Sequence, residues 1–246
     1  LRSPPRVLSN VDHIECRQGD AMASTGIIES RPVRERPRVL RVTRFALLLV
    51  MTATVIADTG RAIGTLTGRT IALFGSAPSD LPLTLLPQIT RAEHAVGGTG
   101  SLADADFLLR ILATAPPLIH AVTVVLAVAW LLRALRGVAQ GQPFHAFVVV
   151  NWRRLAVTLL AGGLAQGGID TIAYAYLTAH LGFIARSGTG SGADPTESFL
   201  GARYDEISTQ LPAWPVDLLL AGLVALALTA AFRAGARLAE DADGVV

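Results

Sequence analysis

Residues 111–132, ILATAPPLIHAVTVVLAVAWLL, contain no Asp, Glu, Lys or Arg and are closed by Arg133. A helix needs roughly 20 apolar residues to cross the hydrocarbon of a bilayer, where every backbone N–H and C=O must be satisfied within the segment. This segment meets that length, so the chain is read as an integral membrane protein. Proline is tolerated in the first helical turn, so the uninterrupted part of this span is expected to begin at Pro116-Pro117.

Three more segments of the same kind lie to either side. Upstream, FALLLVMTATVIA runs from Phe45 into DTGRAIGTLTGRTIALFG, one long helix with a more polar second half. Downstream come LAVTLLAGGLAQGGIDTIAYAYLTAHLGF (155–183) and VDLLLAGLVALALTAAF (216–232). The expected fold is all-α, a four-helix transmembrane bundle with spans at about 44–74, 112–133, 155–182 and 215–234. Between the second and third spans, GQPFHAFVVVNWRRL (141–155) holds an apolar run too short to cross. It is expected to be a turn lying in the membrane interface, with Trp152 at headgroup depth and Arg153 and Arg154 facing anionic lipid.

The composition agrees with this class. Of 246 residues, 51% are hydrophobic and 16% charged, against roughly 25% charged in a typical soluble domain. A net charge of +2 implies no nucleic-acid partner, and the lone Cys16 excludes an intramolecular disulfide and any multi-cysteine metal site. All basic residues but the histidines are arginines, and their placement orients the chain. Arg31, Arg34, Arg36, Arg38, Arg41 and Arg44 precede the first span, Arg133, Arg136, Arg153 and Arg154 separate the second from the third, and Arg233 and Arg237 follow the fourth. In the opposite loops acidic residues outnumber arginines. Both termini are therefore expected on the cytoplasmic side of the membrane.

Residues 1–40 read as a disordered basic cytoplasmic tail and 41–246 as the membrane domain. Within the tail, Gln18-Gly19-Asp20 is compatible with a purine-rich ribosome-binding sequence ahead of Met22, which makes residues 1–21 a candidate leader. A competing reading takes the arginines, the run 45–57 and Val55-Ile56-Ala57 as a signal peptide with its cleavage site. The glycine spacing just downstream favours a retained span. The two outer loops, 76–110 and 184–213, are long enough to be functional. They are expected to fold as short helices, ESFLGARYDEISTQL among them, into a small helical extracytoplasmic cap.

Small residues recur every fourth position at Gly60, Gly64 and Gly68, continuing to Ala72 and Ser76, and again at Gly163 and Gly167. Such stripes let helix backbones approach closely in lipid. Internal helix packing is the favoured reading, and a homo-oligomer face the alternative. Counting at about 1.5 Å per residue from the arginine-rich end of each span, Asp58, Arg61, His120, Asp170 and Asp217 fall in one layer about 20–25 Å away. Charges in hydrocarbon are costly unless paired or wet, so carboxylates facing Arg61 or His120 across the bundle are favoured. The layer is read first as a structural set of ion pairs and second as an outward-open ligand, proton or cation site. A metal held by His120, Asp170 and Asp217 is disfavoured because no two share a helix at ligand spacing.

The chain has no Lys, no G-x-S-x-G and no H-E-x-x-H, so neither a phosphate-cradling lysine nor these nucleophile and zinc motifs are present. No cofactor and no enzymatic activity are expected. At the cytoplasmic turn and the C-terminus, Gly141, Pro143, Phe144, Asn151, Arg154 and Leu155, with the ending FRAGARLAEDADGVV, resemble a bacterial family of small four-span membrane proteins, domain of unknown function 2975. Its members are often encoded beside short helix-turn-helix regulators. The resemblance implies a regulatory or sensory role, with a cytoplasmic regulatory protein and the lipid bilayer as partners, and it carries over no catalytic residue. The alternative is a small transporter or channel subunit that uses the outer polar layer.

Overall fold

The computed structural model describes residues 36–70, 79–94, 100–140, 145–187 and 195–243. Among these residues, five α-helices run in the order α1 (Arg36–Thr67), α2 (Phe107–Ala139), α3 (Ala146–Ser187), α4 (Pro195–Leu200) and α5 (Val216–Asp243). Strands β1 (Ile89–His94) and β2 (Tyr204–Thr209) pair antiparallel. The chain is mostly helical, and α1, α2, α3 and α5 are each long and apolar enough to cross a membrane. Their outward faces carry Phe45, Ile56, Val122, Val157, Ile172, Leu220 and Val224 exposed, a distribution that hydrocarbon solvates and water does not. The long helices pack in a row, α1 on α2, α2 on α3 and α3 on α5.

Each helix has a physical boundary. Gly68 takes φ +69° after the last turn of α1, donates its N–H to the Gly64 carbonyl at 2.8 Å, and lies so close to the Ala103 backbone that no Cβ fits. That left-handed C-terminal stop ends the first span at Thr67 rather than near 74. Ala72 and Ser76 lie outside the described residues. At the other end, α1 already includes Arg36–Leu40, so the helix reaches into the segment expected to be disordered. The rest of that tail, with the leader, falls outside the described residues.

The second span starts earlier than expected. Asp106 Oδ2 accepts from the Leu109 N–H at 3.1 Å and opens α2 at Phe107, so Pro116 and Pro117 lie inside the helix. The interface turn is also corrected. From Ala146 the apolar run is the first two turns of α3, where Val148 and Val149 are buried and Val148 meets Gly137 of α2. Trp152 stacks on Phe232 of α5 at 5.9 Å, so its ring packs between α3 and α5. Side-chain packing against α2 and α5 supplies what the short run lacks in length.

The cap is not purely helical. ESFLGARYDEISTQL gives only the end of α4, then a left-handed Gly201 (φ +76°) packed on Asp104, then β2. Its partner β1 supplies Arg91, which reaches Glu93 at 2.6 Å and Glu206 at 3.5 Å, while His94 meets the Tyr204 ring at 4.7 Å. Cross-strand pairing of this kind stabilises the ribbon where a lone helix would have no partner. Beneath it, Leu83, Leu86, Ile89, Leu102, Leu109, Leu177, Phe199 and Leu200 form one apolar cluster. A second cluster, of Ala127, Leu155, Ala156, Leu159, Leu218 and Ala225, fills the half of the bundle toward the arginine-rich end.

Candidate functional site

Between these two apolar clusters lies a cavity of about 670 Å³. Asp58, Arg61, His120, Asp170 and Asp217 all line it. Four helices contribute, because the layer sits at the same height on each, and the cap closes part of one side with Leu85 and Pro87.

The pairing within the layer follows burial. Asp58, 7% exposed, accepts a hydrogen bond from or shares a proton with His120, with Oδ2 and Nδ1 2.6 Å apart, and this contact holds α1 to α2. Asp170, 8% exposed, accepts from Gln88 Nε2 at 2.7 Å. Gln88 is itself buried in the cap, and its backbone carbonyl accepts from the Gln210 N–H at 3.0 Å. The Gln210 side chain in turn donates to the Pro87 carbonyl at 2.7 Å. Both strands of the ribbon are thus tied to a carboxylate within the third span.

Arg61 and Asp217 are different. Both are exposed to the cavity, and neither makes a hydrogen bond or ion pair among the described residues. The buried carboxylates Asp58 and Asp170 are hydrogen-bonded to His120 and Gln88, while among the described residues Arg61 and Asp217 share the cavity without such partners. Gln166, one turn before Asp170 on α3, also lines it, and its buried Oε1 has no partner. The described residues contain no group of three His, Cys, Asp or Glu able to hold a metal.

One wall is a stretch of α2 with two prolines in it. Prolines at 116 and 117 lack the N–H groups that would bond the carbonyls of Leu112 and Ala113. Pro116, Pro117 and Ala113 all line the cavity, so this interruption of the helical ladder lies at its wall. Trp214 and Pro215 close the rim at the start of α5, and a Cβ on Gly167 would come 2.7 Å from the Trp214 ring. The third-span stripe therefore admits Trp214 at Gly167 and the Leu219 side chain at Gly163. A Cβ on Gly60 would enter open space, and one on Gly64 would come 3.4 Å from the Leu81 side chain of the cap.

Helix depth brings the five charged residues to one height, but it does not reveal Gln88, Gln166 or Trp214. A signal for Gln166 exists, since i and i+4 share a helix face. Gln88 has none, because a loop residue's reach is set by the cap's fold.

At the arginine-rich end, Asn151 is buried and donates its Nδ2 to the Phe147 carbonyl at 2.7 Å. Leu155 lies in the second apolar cluster, and the Arg154 guanidinium lies 5.0 Å from the Trp130 ring centroid. Gly141, Pro143 and Phe144 fall outside the described residues. No known protein family, curated protein or solved structure matches the chain.

Proposed function

We propose that this membrane protein is a non-enzymatic sensory or regulatory component whose outward-facing cavity receives a small zwitterion. The observation that carries the reading is the coexistence of Arg61 and Asp217, both without a partner among the described residues, in one cavity whose buried carboxylates are already bonded. A ligand with both charges meets both groups, whereas a simple cation or anion leaves one opposed. Leu85, Pro87, Pro117, Trp214 and Pro215 offer apolar surface to the ligand's body. An apolar cluster of Ala127, Leu159 and Leu218 packs α2, α3 and α5 together on the arginine-rich side of this layer, which favours a receptor over a conduit. Gln88 gives the cap a direct bond to the cavity's carboxylate, a path by which occupancy would alter the ribbon. The resemblance to domain of unknown function 2975 at Asn151, Arg154 and Leu155 supports a regulatory output on the cytoplasmic side. The multi-pass bacterial plasma-membrane location with cytoplasmic termini belongs to the same proposal.

The test uses Trp214 as reporter, with Trp130→Phe and Trp152→Phe removing the other indoles. Phenylalanine, 2-phenylethylamine and 3-phenylpropionate share a body and differ in charge. Phenylalanine should change Trp214 emission at roughly tenfold lower concentration than either analogue, a difference of about 1.4 kcal/mol. Equal responses to all three, or a response that survives Arg61→Gln with Asp217→Asn, would dispose of the zwitterion site.

A second reading, a small transporter, draws on one observation, the two prolines inside α2 at the cavity wall. They are where that helix could bend to open a path. Uptake of labelled phenylalanine into sealed proteoliposomes separates the two, since a receptor binds without flux.

A further inference from the structure

At the opposite end of the bundle from the cap, a cavity of about 360 Å³ is lined by Trp130, Val150, Arg153, Arg154, Val157 and Arg233, with Thr158 beside them. Three helices meet there, α2 with Trp130, α3 with Arg153 and Arg154 and α5 with Arg233, because α2 and α5 finish where α3 begins. The guanidinium carbons of Arg133 and Arg154 lie 4.6 and 5.0 Å from the Trp130 ring centroid. None of Arg133, Arg153, Arg154 or Arg233 forms an ion pair with a carboxylate among the described residues. Like charges gathered around a cavity repel, and the indole face offsets only part of that. An anion in the cavity removes the conflict, and guanidinium forks match phosphate oxygens two at a time.

We infer that this cavity is a binding site for the headgroup phosphate of an anionic phospholipid. The wall says why the anion comes on a lipid and not free in solution. Val150 and Val157 are 46% and 54% exposed on lengths of helix apolar enough to lie in hydrocarbon, so an acyl chain can run directly beside the phosphate. Basic pockets between spans at the interface take lipid headgroups on these grounds. Trp130 is only partly exposed and holds two of the arginines in place, which makes the site a formed recess and not a general basic collar.

The experiment is lipid titration of the purified, delipidated full chain, read by native mass spectrometry and by melting temperature in a neutral detergent. Phosphatidylglycerol should bind at least tenfold tighter than phosphatidylcholine and raise the melting temperature by several degrees. Inorganic phosphate at the same concentration should do neither. Arg154→Gln with Arg233→Gln should abolish the preference, and Arg154→Lys should keep part of it, because charge remains while the planar contact with Trp130 is lost. Arg44→Gln, a charge at the same end of α1 that does not line the cavity, should leave it intact. Three outcomes would overturn the site: no preference between the two lipids in the unaltered protein, an equal loss in Arg44→Gln, or full reproduction of the effect by inorganic phosphate.

Discussion

The contact between Asp58 and His120 is the shortest polar link between two spans among the described residues, and the case for it starts from cost. A carboxylate within the membrane needs a partner or water, and His120 supplies the partner at 2.6 Å on a neighbouring helix. A double-mutant cycle of Asp58→Asn and His120→Gln should therefore give a coupling of about 1–3 kcal/mol in thermal or denaturant unfolding. The same cycle for Arg61→Leu and Asp170→Asn should give a coupling near zero, since those two side chains do not meet. The reverse result would reassign the partners. Tyr204 makes the second residue-scale case. Its hydroxyl is buried without a hydrogen-bond partner, and burial first, then the nearby Asp104 carboxylate, raises its pKa above the ordinary value. The folded cap thus holds the phenol proton longer than the unfolded chain. Its stabilising contribution is full below the ordinary tyrosine pKa of about 10 and is lost as pH rises through the higher folded value. Tyr204→Phe should be neutral or stabilising by up to about 1 kcal/mol near pH 7, and should make cap proteolysis less sensitive to alkali. Greater alkaline sensitivity in the variant would refute the assignment. The depth of these residues was legible because spans advance by a constant rise. Their partners were not, since depth says nothing of where a side chain points around the helix.

The elements were legible to different degrees for physical reasons. Four spans follow from apolar length alone, and all four are present. Their ends depend on tertiary contacts. A Pro-Pro pair reads as a helix start, yet Asp106 caps α2 well upstream of Pro116 and the bundle holds the interrupted turn. The run before Trp152 reads as an interface turn, yet burial of Val148 and Asn151 makes it helix. In the cap, Glu, Leu and Ala suggest a helix where Gly201 and the pairing with β1 impose a strand. The glycine stripe of α1 divides the same way and yields a prediction. Gly68→Ala meets both a left-handed backbone and the Ala103 main chain, and should cost about 1–3 kcal/mol. Gly60→Ala enters open space and should change stability by less than about 0.5 kcal/mol. If Gly60→Ala proved as damaging in lipid as Gly68→Ala, a second copy of the chain would have to cover that face.

At the scale of the whole molecule, an apolar cluster under the cap, a polar cavity, and an apolar cluster toward the arginine-rich end succeed one another along the bundle. The lower cluster matters most for the receptor proposed above, because a site closed on that side would bind and report without conducting. On the proposed orientation, with the cap outside as arginine placement predicts, reporter fusions should find residues 90 and 200 outside and 140 and 246 inside. Accessibility then tests orientation and closure together. With Cys16→Ser removing the native thiol, Ala213→Cys places a thiol at the exposed cavity rim and Ala127→Cys one within the lower cluster. A membrane-impermeant maleimide added outside intact cells should label residue 213 and leave residue 127 untouched, whereas added to inverted vesicles it should label neither. Labelling of residue 127 from outside would mean that water passes the lower cluster, and the receptor reading would yield to transport. Labelling of residue 213 only in inverted vesicles would reverse the orientation while leaving the cavity's closure standing.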